Sequence, residues 1–270
     1  MTVIIPTRNG CDLLRLCVEG LRSTDYPNVR LIVVDNGSDD PSTLRYLEEL
    51  ERGGASVLRM PGPFNYSSLN NRAVEQASTE LLCFLNNDVE MIDGDWLSLL
   101  AAHAVQSDVG AVGARLLYPD RSVQHAGVVL GVGGGAGHAH RLVPEGEEGY
   151  FSRHLLPQEV TAVTAACLVV ERSKFLKVGG FDEDLFPVAF NDVDLCLKLN
   201  AAGWGSVYEP RASLIHHESK SRGKDSARRN RVRFASELLA LKRKWKTDQR
   251  RDPFHHPHLS PFTEQFLIAV

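Results

Sequence analysis

The sequence predicts an α/β fold with a mixed, mainly parallel central sheet flanked by helices. Three observations predict this fold: short apolar runs typical of strands, apolar residues at helical spacing between those runs, and polar residues where each run ends. Strands and helices that alternate along a chain are typical of βαβ units and therefore of a parallel sheet. At 270 residues, of which 43% are hydrophobic and 24% charged, the chain can bury one sizeable core.

The alternation is most regular in the first part of the chain. Apolar runs predict four strands, at residues 2–6, 29–34, 55–59 and 82–85. Apolar residues at helical spacing predict three intervening helices, at residues 12–21, 41–50 and 66–77. The run Leu82-Cys83-Phe84-Leu85 is continuous, which is typical of a strand buried on both faces of a sheet.

The pattern is less regular after residue 88. It predicts three strands, at residues 109–117, 160–170 and 212–216, the second of which is strongly strand-like. It predicts four helices, at residues 96–105, at 175–181 with glycines closing the helix, at 191–202 and at 228–246. A glycine-rich passage at residues 127–137 and a polar segment at 138–149 separate these elements.

The basic helix at 228–246 carries Phe234, Leu238, Leu241 and Trp245 along one stripe. We therefore predict a main domain at residues 1–224 and a C-terminal extension at 225–270, a basic helix and Pro/His-rich tail that pack on it. Peripheral contact of the basic helix with anionic lipid is the less favoured alternative.

Charge and composition exclude several classes of function. The net charge of −4 argues against nucleic acid as the main partner, because that binding depends on neutralising phosphates. No apolar run approaches the roughly 18 residues of a membrane span, and no signal peptide is evident. The abrupt start at Met1 suggests a domain cut from a longer protein. Five cysteines in apolar surroundings predict reduced core residues of a cytosolic protein: Cys11, Cys17, Cys83, Cys167 and Cys196.

Two carboxylates follow predicted strands that we expect to be neighbours in the sheet, Asp35 and Asp88. Ligands of open α/β sheets bind beyond the carboxyl ends of such strands, and a carboxylate suits a hard cation. The cluster Asn86-Asn87-Asp88 therefore predicts a site, although Asn and Asp also favour simple turns. A dinucleotide fingerprint is absent after the first strand, and Gly131-x-Gly133-x-x-Ala136 precedes no predicted helix.

A second group of candidates lies later in the chain. Asp194 has Lys198 four residues on, the order that favours an exposed ion pair, whereas Asp192 has no such partner. Asp192 is thus the better candidate for chemistry, with simple helix capping as the alternative. His216 and His217 follow the last predicted strand, and alternation sends them to opposite faces, so we expect one of them to reach a site.

Five ordered motifs resemble those of family 2 glycosyltransferases of the inverting, nucleotide-sugar-dependent kind. The resemblance covers about residues 2–223 and rests on Val3-Ile4-Ile5-Pro6-Thr7, Val34-Asp35-Asn36-Gly37-Ser38, Leu85-Asn86-Asn87-Asp88, Gly179-Gly180-Phe181-Asp182 and Asn191-Asp192-Val193-Asp194-Leu195-Cys196. The stretches Gln124-His125-Ala126-Gly127 and 216–223 resemble a bacterial subgroup tied to surface polysaccharide assembly, such as O-antigen or capsule. In that subgroup the domain is often one module of a multidomain enzyme.

The resemblance implies a single Rossmann-like domain of the glycosyltransferase A type that uses Mn²⁺ or Mg²⁺. It implies a UDP-, dTDP- or GDP-linked sugar donor and a glycan or lipid-linked glycan acceptor, with rhamnose as a guess for the sugar. It implies Asp192 as general base, and Asp88 and His216 (less favoured, His217) as metal ligands. The remaining implied positions line the nucleotide, at Pro6, Thr7, Arg8, Asp35, Asn86 and Asn87, or the donor sugar and acceptor, at Thr164, Ala165, Ala166 and Asn191.

Two other functions stay open at this point. A metal-dependent nucleotidyltransferase also places a nucleotide beside a parallel sheet, but it releases pyrophosphate. A non-catalytic nucleotide-sugar-binding module of a larger assembly is the third hypothesis, and the presence of both Asp88 and Asp192 argues against it. For a transferase of this kind we expect a cytoplasmic location, at the inner face of the membrane if the acceptor is lipid-linked.

Overall fold

The structure, a computed structural model, describes residues 1–217 and 228–269. The first elements alternate as predicted: β1 (Thr2–Thr7), α1 (Cys11–Arg22), β2 (Arg30–Asp35), α2 (Pro41–Arg52), β3 (Ser56–Arg59), α3 (Tyr66–Gln76) and β4 (Leu81–Leu85). The later elements are β5 (Val89–Met91), α4 (Trp96–Ala104), β6 (Val109–Leu117), β7 (Val123–His125), β8 (Val128–Leu130), β9 (Ala136–His138), β10 (Gln158–Val160), β11 (Cys167–Glu171), α5 (Arg172–Lys177), α6 (Asn191–Ala201), β12 (Gly205–His216) and α7 (Arg228–Trp245).

One sheet of ten strands forms the centre of the molecule, with the main order β10-β12-β6-β11-β4-β1-β2-β3. β1 pairs in parallel with β2 and β4, and β12 pairs in parallel with β6. β11 is antiparallel to both of its neighbours, β4 and β6. The fold class is therefore the predicted one, mixed and mainly parallel. The chain leaves β1 on one side to form β2 and returns on the other as β4, and this reversal opens a crevice at the carboxyl ends.

The strand order corrects one prediction about the site. β2 and β4, which precede Asp35 and Asp88, are not neighbours, because β1 lies between them. A sequence shows which strands exist but not which of them pair, so order along the chain was a poor guide to adjacency. The consequence is that Thr7, at the end of β1, lies between the two carboxylates.

The predicted strand at 160–170 is two strands. Residues 161–166, here called the crossing segment, separate them and run across β12 and β6 from β10 to β11. β10 ends at Val160 and β11 begins at Cys167, and residues 161–166 are all buried. Gly113 of β6 allows the crossing, because a Cβ there would lie 2.4 Å from the Cβ of Val163. A run of small and apolar residues looks the same in sequence whether it pairs with neighbouring strands or packs across them.

Two other predicted elements have different bounds. The strand predicted at 212–216 is the end of the twelve-residue β12, whose register shifts between Glu209 and Ser213. Glu209-Pro210 looks like a break in sequence, but a bulge accommodates both residues within the strand. The helix predicted at 175–181 is α5, which ends at Lys177, before two glycines with positive φ. Its polar first turn concealed the start of the helix.

Helices cover both faces of the sheet. Apolar residues of α1, α2 and α4 pack on one face, and those of α3, α6 and α7 pack on the other. Leu241 of α7 is fully buried in the second layer, and Asp252 beyond α7 accepts a hydrogen bond from the backbone N–H of Leu130 at 2.7 Å. α7 and the chain after it thus contact the rest of the molecule through core and polar contacts. Within the described ranges, every helix is too short or too polar to cross a bilayer.

Candidate active site

The loops after β1 and β2 are bonded to each other at the carboxyl edge of the sheet. Thr7 is the register partner of Asp35. Asn9 adopts a left-handed backbone (φ 55°), and its side-chain oxygen accepts from the backbone N–H of Asp39 at 3.0 Å. The backbone N–H of Asn9 donates to Ser38 Oγ at 2.8 Å. Because the two loops brace each other, this edge has a defined shape before any ligand binds.

Asp35 is buried in this edge and already holds protein partners. Its Oδ1 accepts from the backbone N–H and the hydroxyl of Ser38, at 2.9 and 2.5 Å, and its Oδ2 lies 3.2 Å from Arg59. Oδ1 already accepts two hydrogen bonds, whereas Oδ2 accepts one and keeps a second lone pair for a base contact. Of the other residues expected to line the nucleotide, Pro6 is buried in β1 and Arg8 is exposed at the edge.

The structure brings the end of β4 and the end of β12 together. Asp88 Oδ1 lies 3.1 Å from His216 Nε2, and Asn86 Nδ2 lies 3.2 Å from the same nitrogen. Asp88 is 6% exposed and His216 9%, so solvent screens this contact only weakly. Asn87 Nδ2 donates to Thr7 Oγ1 at 3.0 Å, which links this cluster to β1.

His217 faces away from this cluster, as strand alternation requires. Its Nε2 lies 2.8 Å from Glu90 Oε2, while its backbone N–H donates to the Asp88 carbonyl at 2.9 Å. His216 is therefore the histidine beside Asp88. Residues 218–223 of the quoted His216-to-Gly223 stretch lie outside the described residues.

The crossing segment joins Asp192 to the loop that carries Asp88 through two consecutive residues, Ala165 and Ala166. The backbone N–H of Ala165 donates to Asp192 Oδ2 at 3.1 Å, and the Ala166 carbonyl accepts from the backbone N–H of Asn86 at 3.0 Å. Tyr66 fixes the same segment from α3, because its hydroxyl donates to the Ala165 carbonyl at 2.8 Å. The segment thus fixes the carboxylate of α6 relative to the end of β4.

The two other residues expected to flank the donor and acceptor are buried. The backbone N–H of Thr164 donates to His125 Nε2 at 3.3 Å. Asn191 opens α6, and its amide donates to the Val188 carbonyl at 2.8 Å. Both residues shape the backbone around Asp192.

The ion pair predicted between Asp194 and Lys198 is present, but the expectation that it is exposed is wrong. Asp194 is fully buried: its Oδ1 accepts from Trp245 Nε1 at 2.7 Å and lies 2.8 Å from Lys244 Nζ, and its Oδ2 lies 3.4 Å from Lys198 Nζ. The sequence could not show that α7 packs over this face of α6. Asp194 therefore connects α6 to the end of α7. Of the two carboxylates, Asp192 is the one that contacts the crossing segment.

The donor set beside β4 suits a divalent cation. A carboxylate oxygen and an imidazole nitrogen, 3.1 Å apart, are ligands that Mn²⁺ accepts. His216 Nδ1 lies 2.6 Å from Gln124 Oε1, the kind of outer contact that metal-bound histidines make. Residues 1–217 and 228–269 contain no cluster of three or more His, Cys, Asp or Glu suited to a metal. Two protein donors would leave coordination positions for water and for oxygens of a ligand, which is usual for Mg²⁺.

Several residues of this region escaped the sequence reasoning. Gln124 and His125 stood out only as part of a subgroup motif, and Tyr66 and Cys17 did not stand out at all. Burial raises the pKa of the Cys17 thiol, and the negative charge of Asp88 raises it further, so a neutral thiol lies beneath the cluster. Burial, followed by electrostatic repulsion from His138 and His216, lowers the pKa of His125 well below its ordinary value. No local pattern signals such residues, because their partners are distant in sequence.

Comparison with known proteins agrees with this architecture. Residues 2–161 match Glycosyl transferase family 2. The chain is 48% identical over its whole length to the uncharacterized protein y4gI of Sinorhizobium fredii, and 41% identical over 96% of its length to the O-antigen biosynthesis protein RfbC of Myxococcus xanthus. It is 31% identical, over 76% of its length and 71% of the relative, to the N-acetylglucosaminyl-diphospho-decaprenol L-rhamnosyltransferase of Mycobacterium tuberculosis.

Solved structures share the fold at low identity. The mannosyltransferase PcManGT of Pyrobaculum calidifontis, in complex with GDP-Man and Mn²⁺, has a TM-score of 0.64 and 20% identity over 93% of this chain and 65% of that one. GalNAc-T7 with UDP, GalNAc and Mn²⁺ has a TM-score of 0.67 and 14% identity over 84% of this chain and 45% of that one. The fold is therefore the glycosyltransferase A type.

The chain spans 30% of the length of the Sinorhizobium relative and 20% of the Myxococcus relative. The family match covers more than half of the chain, and the mycobacterial relative aligns over most of its own length. On these grounds the chain belongs to glycosyl transferase family 2.

Proposed function

We propose that this chain is an inverting glycosyltransferase domain that moves a sugar from a nucleoside-diphosphate donor to a hydroxyl of a glycan acceptor. The observation that carries the proposal is the crossing segment at 161–166. Its residues Ala165 and Ala166 bond Asp192 and the backbone of Asn86, respectively. The segment thus holds a candidate base and a candidate leaving-group site together, and direct displacement at an anomeric carbon requires both.

Asp192 is the proposed general base. As the acceptor oxygen forms its bond to the anomeric carbon, the bond from that carbon to the phosphate oxygen breaks, and Asp192 takes the acceptor proton. Attack from the side opposite the leaving group inverts the anomeric centre. Positioned proton transfer of this kind contributes roughly 10²–10⁴-fold to a rate. Asp192 is half-buried in the first turn of α6.

Asp88 and His216 are the proposed metal ligands. A divalent cation held there would neutralise charge that develops on the diphosphate leaving group. Asn86 offers an amide without charge, and Asn87 holds the cluster against Thr7. Mn²⁺ in both solved relatives of this fold supports the choice of a divalent cation.

The nucleotide is proposed to bind along the carboxyl edge of β1 and β2. Pro6, Thr7 and Arg8 line one side of that edge, where the exposed Arg8 is available to an anionic ligand. Asp35 would hydrogen-bond the base with the Oδ2 lone pair that Arg59 leaves free. GDP-Man and UDP in the solved relatives support a nucleotide donor of this kind, with a dTDP-linked sugar as the third option.

The wider setting rests on the relatives. An O-antigen biosynthesis protein and a rhamnosyltransferase named for a diphospho-decaprenol substrate support a lipid-linked glycan acceptor in surface polysaccharide synthesis, and a hexosyl or rhamnosyl donor. Such an acceptor would place the domain at the cytoplasmic face of the membrane. The division into a catalytic domain at 1–224 and an extension at 225–270 is supported by the contacts of α7, which pack that helix on the rest of the chain.

The test is donor turnover with Mn²⁺, measured as release of nucleoside diphosphate from a panel of UDP-, dTDP- and GDP-sugars. We expect Asp192→Asn to lower kcat by roughly 10²–10⁴-fold, because its amide cannot take a proton. Asp88→Ala should also lose turnover, and with it the dependence on Mn²⁺.

Asp184→Asn provides the matched control, because Asp184 is an exposed carboxylate near the start of α6 and should turn over at the wild-type rate. Wild-type turnover in Asp192→Asn or Asp88→Ala would refute the function assigned to that residue. Release of pyrophosphate in place of nucleoside diphosphate would refute glycosyl transfer itself.

A further inference from the structure

Gln124 lies in the middle of β7 and contacts His216 through both ends of its amide. Gln124 Oε1 lies 2.6 Å from His216 Nδ1, and Gln124 Nε2 donates to the His216 carbonyl at 3.5 Å. Gln124 is 5% exposed, so water competes little for these contacts. Its place next to His216 follows from the sheet, because β7 and β12 both pair with β6.

These two contacts determine where the proton of the His216 ring lies. The amide nitrogen of Gln124 can only donate, and the backbone carbonyl that it faces can only accept. The amide oxygen must then face Nδ1, and since that oxygen can only accept, Nδ1 carries the proton. In the neutral ring, Nε2 is left with its lone pair. The contact with Asn86 independently supports a lone pair on Nε2, because the Asn86 amide nitrogen lies 3.2 Å away and donates a hydrogen bond.

The position of this proton decides what Asp88 and His216 can do together. With the proton on Nδ1, Nε2 and Asp88 Oδ1 are two electron-pair donors 3.1 Å apart, which a cation would join in place of the Asn86 amide. With the proton on Nε2, the same two atoms would form a hydrogen bond to each other, and His216 would have no lone pair for a metal on that side.

We propose that Gln124 is a positioning residue that holds His216 in the Nδ1–H tautomer and so presents Nε2 to the cation beside Asp88. The proposal rests on the proposed function, in which His216 is a metal ligand. Gln124 itself contacts neither substrate nor metal in this scheme. Hydrogen bonds to the outer nitrogen of a ligating histidine typically change metal affinity by 10–100-fold.

The first test reads the tautomer without any metal. We would record ¹⁵N spectra of the histidine rings at pH 8, where an ordinary imidazole is neutral, and assign His216 by its absence in His216→Ala. We expect the Nδ1–H form in the wild type and in Gln124→Glu, which keeps an acceptor. Gln124→Met keeps the approximate shape but has no acceptor, and should shift His216 toward Nε2–H. An Nε2–H or doubly protonated His216 in the wild type, or no shift in Gln124→Met, would overturn the proposal.

The second test measures Mn²⁺ affinity on the full chain from the free-Mn²⁺ electron paramagnetic resonance signal. We expect Gln124→Met to bind Mn²⁺ about 10–100-fold more weakly, and Gln124→Glu to bind at least as tightly as the wild type. Gln158→Met is the matched control, since Gln158 is a half-buried, hydrogen-bonded glutamine on β10 with no contact to His216.

The Mn²⁺ affinities of the His216 and Gln124 variants distinguish this proposal from the assignment of His216 as a metal ligand. Unchanged affinity in His216→Ala means that His216 is no ligand, which overturns the metal assignment and this proposal with it. A loss in His216→Ala together with unchanged affinity in Gln124→Met keeps the metal ligand and overturns the positioning by Gln124 alone. Equal losses in Gln124→Met and Gln124→Glu would point to packing and also overturn it.

Discussion

Asn86 and Asp88 differ by one charge, and we expect that difference to govern how tightly the proposed metal site holds a cation. Asn86 Nδ2 and Asp88 Oδ1 lie within 3.2 Å of the same imidazole nitrogen, so a charge at either position acts on the same point. The chain has an amide, which carries no charge, at the first of these positions. Metal affinity in this protein should therefore be lower than the site geometry alone would permit.

We predict that Asn86→Asp binds Mn²⁺ about tenfold more tightly than the wild type. Two unit charges about 4 Å apart attract by about 1 kcal/mol in water and more in a partly buried site, and the cation is divalent. Mn²⁺ titration monitored by electron paramagnetic resonance measures the change. Asn71→Asp is a suitable control, because Asn71 on α3 bonds the backbone of Phe181, away from the cluster. Equal or weaker Mn²⁺ binding in Asn86→Asp would place the cation elsewhere.

At the scale of elements, α7 holds the loop from which the proposed base emerges. Glu237 is buried, and its Oε2 accepts from the backbone N–H groups of Val188, at 3.2 Å, and of Ala189. Trp245 of α7 donates to Asp194, two residues beyond Asp192. The same helix thus fixes the approach to α6 and its first turn.

We predict that Glu237→Ala lowers the free energy of unfolding by about 2 kcal/mol and also lowers kcat. Two backbone N–H groups lose their acceptor, and loss of such partners typically costs about 1–3 kcal/mol. Urea unfolding and donor turnover measure the two effects, while Mn²⁺ affinity should stay unchanged because the Asp88 side is untouched.

Glu237→Gln keeps an acceptor oxygen and should recover most of the stability. Glu48→Ala, at an exposed position of α2, should stay within about 0.5 kcal/mol of the wild type. If kcat is unchanged in Glu237→Ala despite the lost stability, α7 stabilises the fold without positioning the base.

The elements that sequence reasoning predicted well are those whose evidence is local. β1, β2 and β4 are apolar runs that end in polar residues, and β6 was predicted with its observed bounds. The short strands β5 and β7 through β9 carry three residues each, too few to show a period. Residues 161–166 were mistaken for strand because burial, which the sequence does show, is common to strands and to crossing segments.

The site residues also differ in whether local sequence patterns predict them. Asp88, Asp192 and His216 could be named as candidates because each ends or begins an element that the sequence predicts. Gln124 is 92 residues from His216, and Glu237 is 48 residues from Ala189, so only the fold brings them together. The sequence alone therefore predicts the candidate metal ligands and the candidate base. It does not predict the residues that position them, because their contacts depend on the fold.

At the scale of the whole molecule, buried histidines make stability depend on pH. Burial lowers the pKa of His125, and electrostatic repulsion from His138 and His216 adds to the effect. Burial likewise lowers the pKa of His140 to about 3, with His154 and Arg153 adding to it. In the unfolded chain an imidazole has a pKa of about 6.5. Below that pH the unfolded state binds protons that the native state does not, so stability falls as the solution becomes more acidic.

We predict that lowering the pH from 7.5 to 5.5 reduces the free energy of unfolding by about 3 kcal/mol through these two histidines, each at about 1.4 kcal/mol per pH unit below 6.5. Urea unfolding at pH 7.5, 6.5 and 5.5 measures it. His140→Asn should reduce this change by about 1.4 kcal/mol whatever its own stability. Asn tolerates the left-handed backbone at that position (φ 59°). His258→Asn, at an exposed site, should leave the dependence unchanged. An identical slope in His140→Asn and the wild type would mean that His140 titrates normally in the native state, and that the acid sensitivity of the fold has another origin.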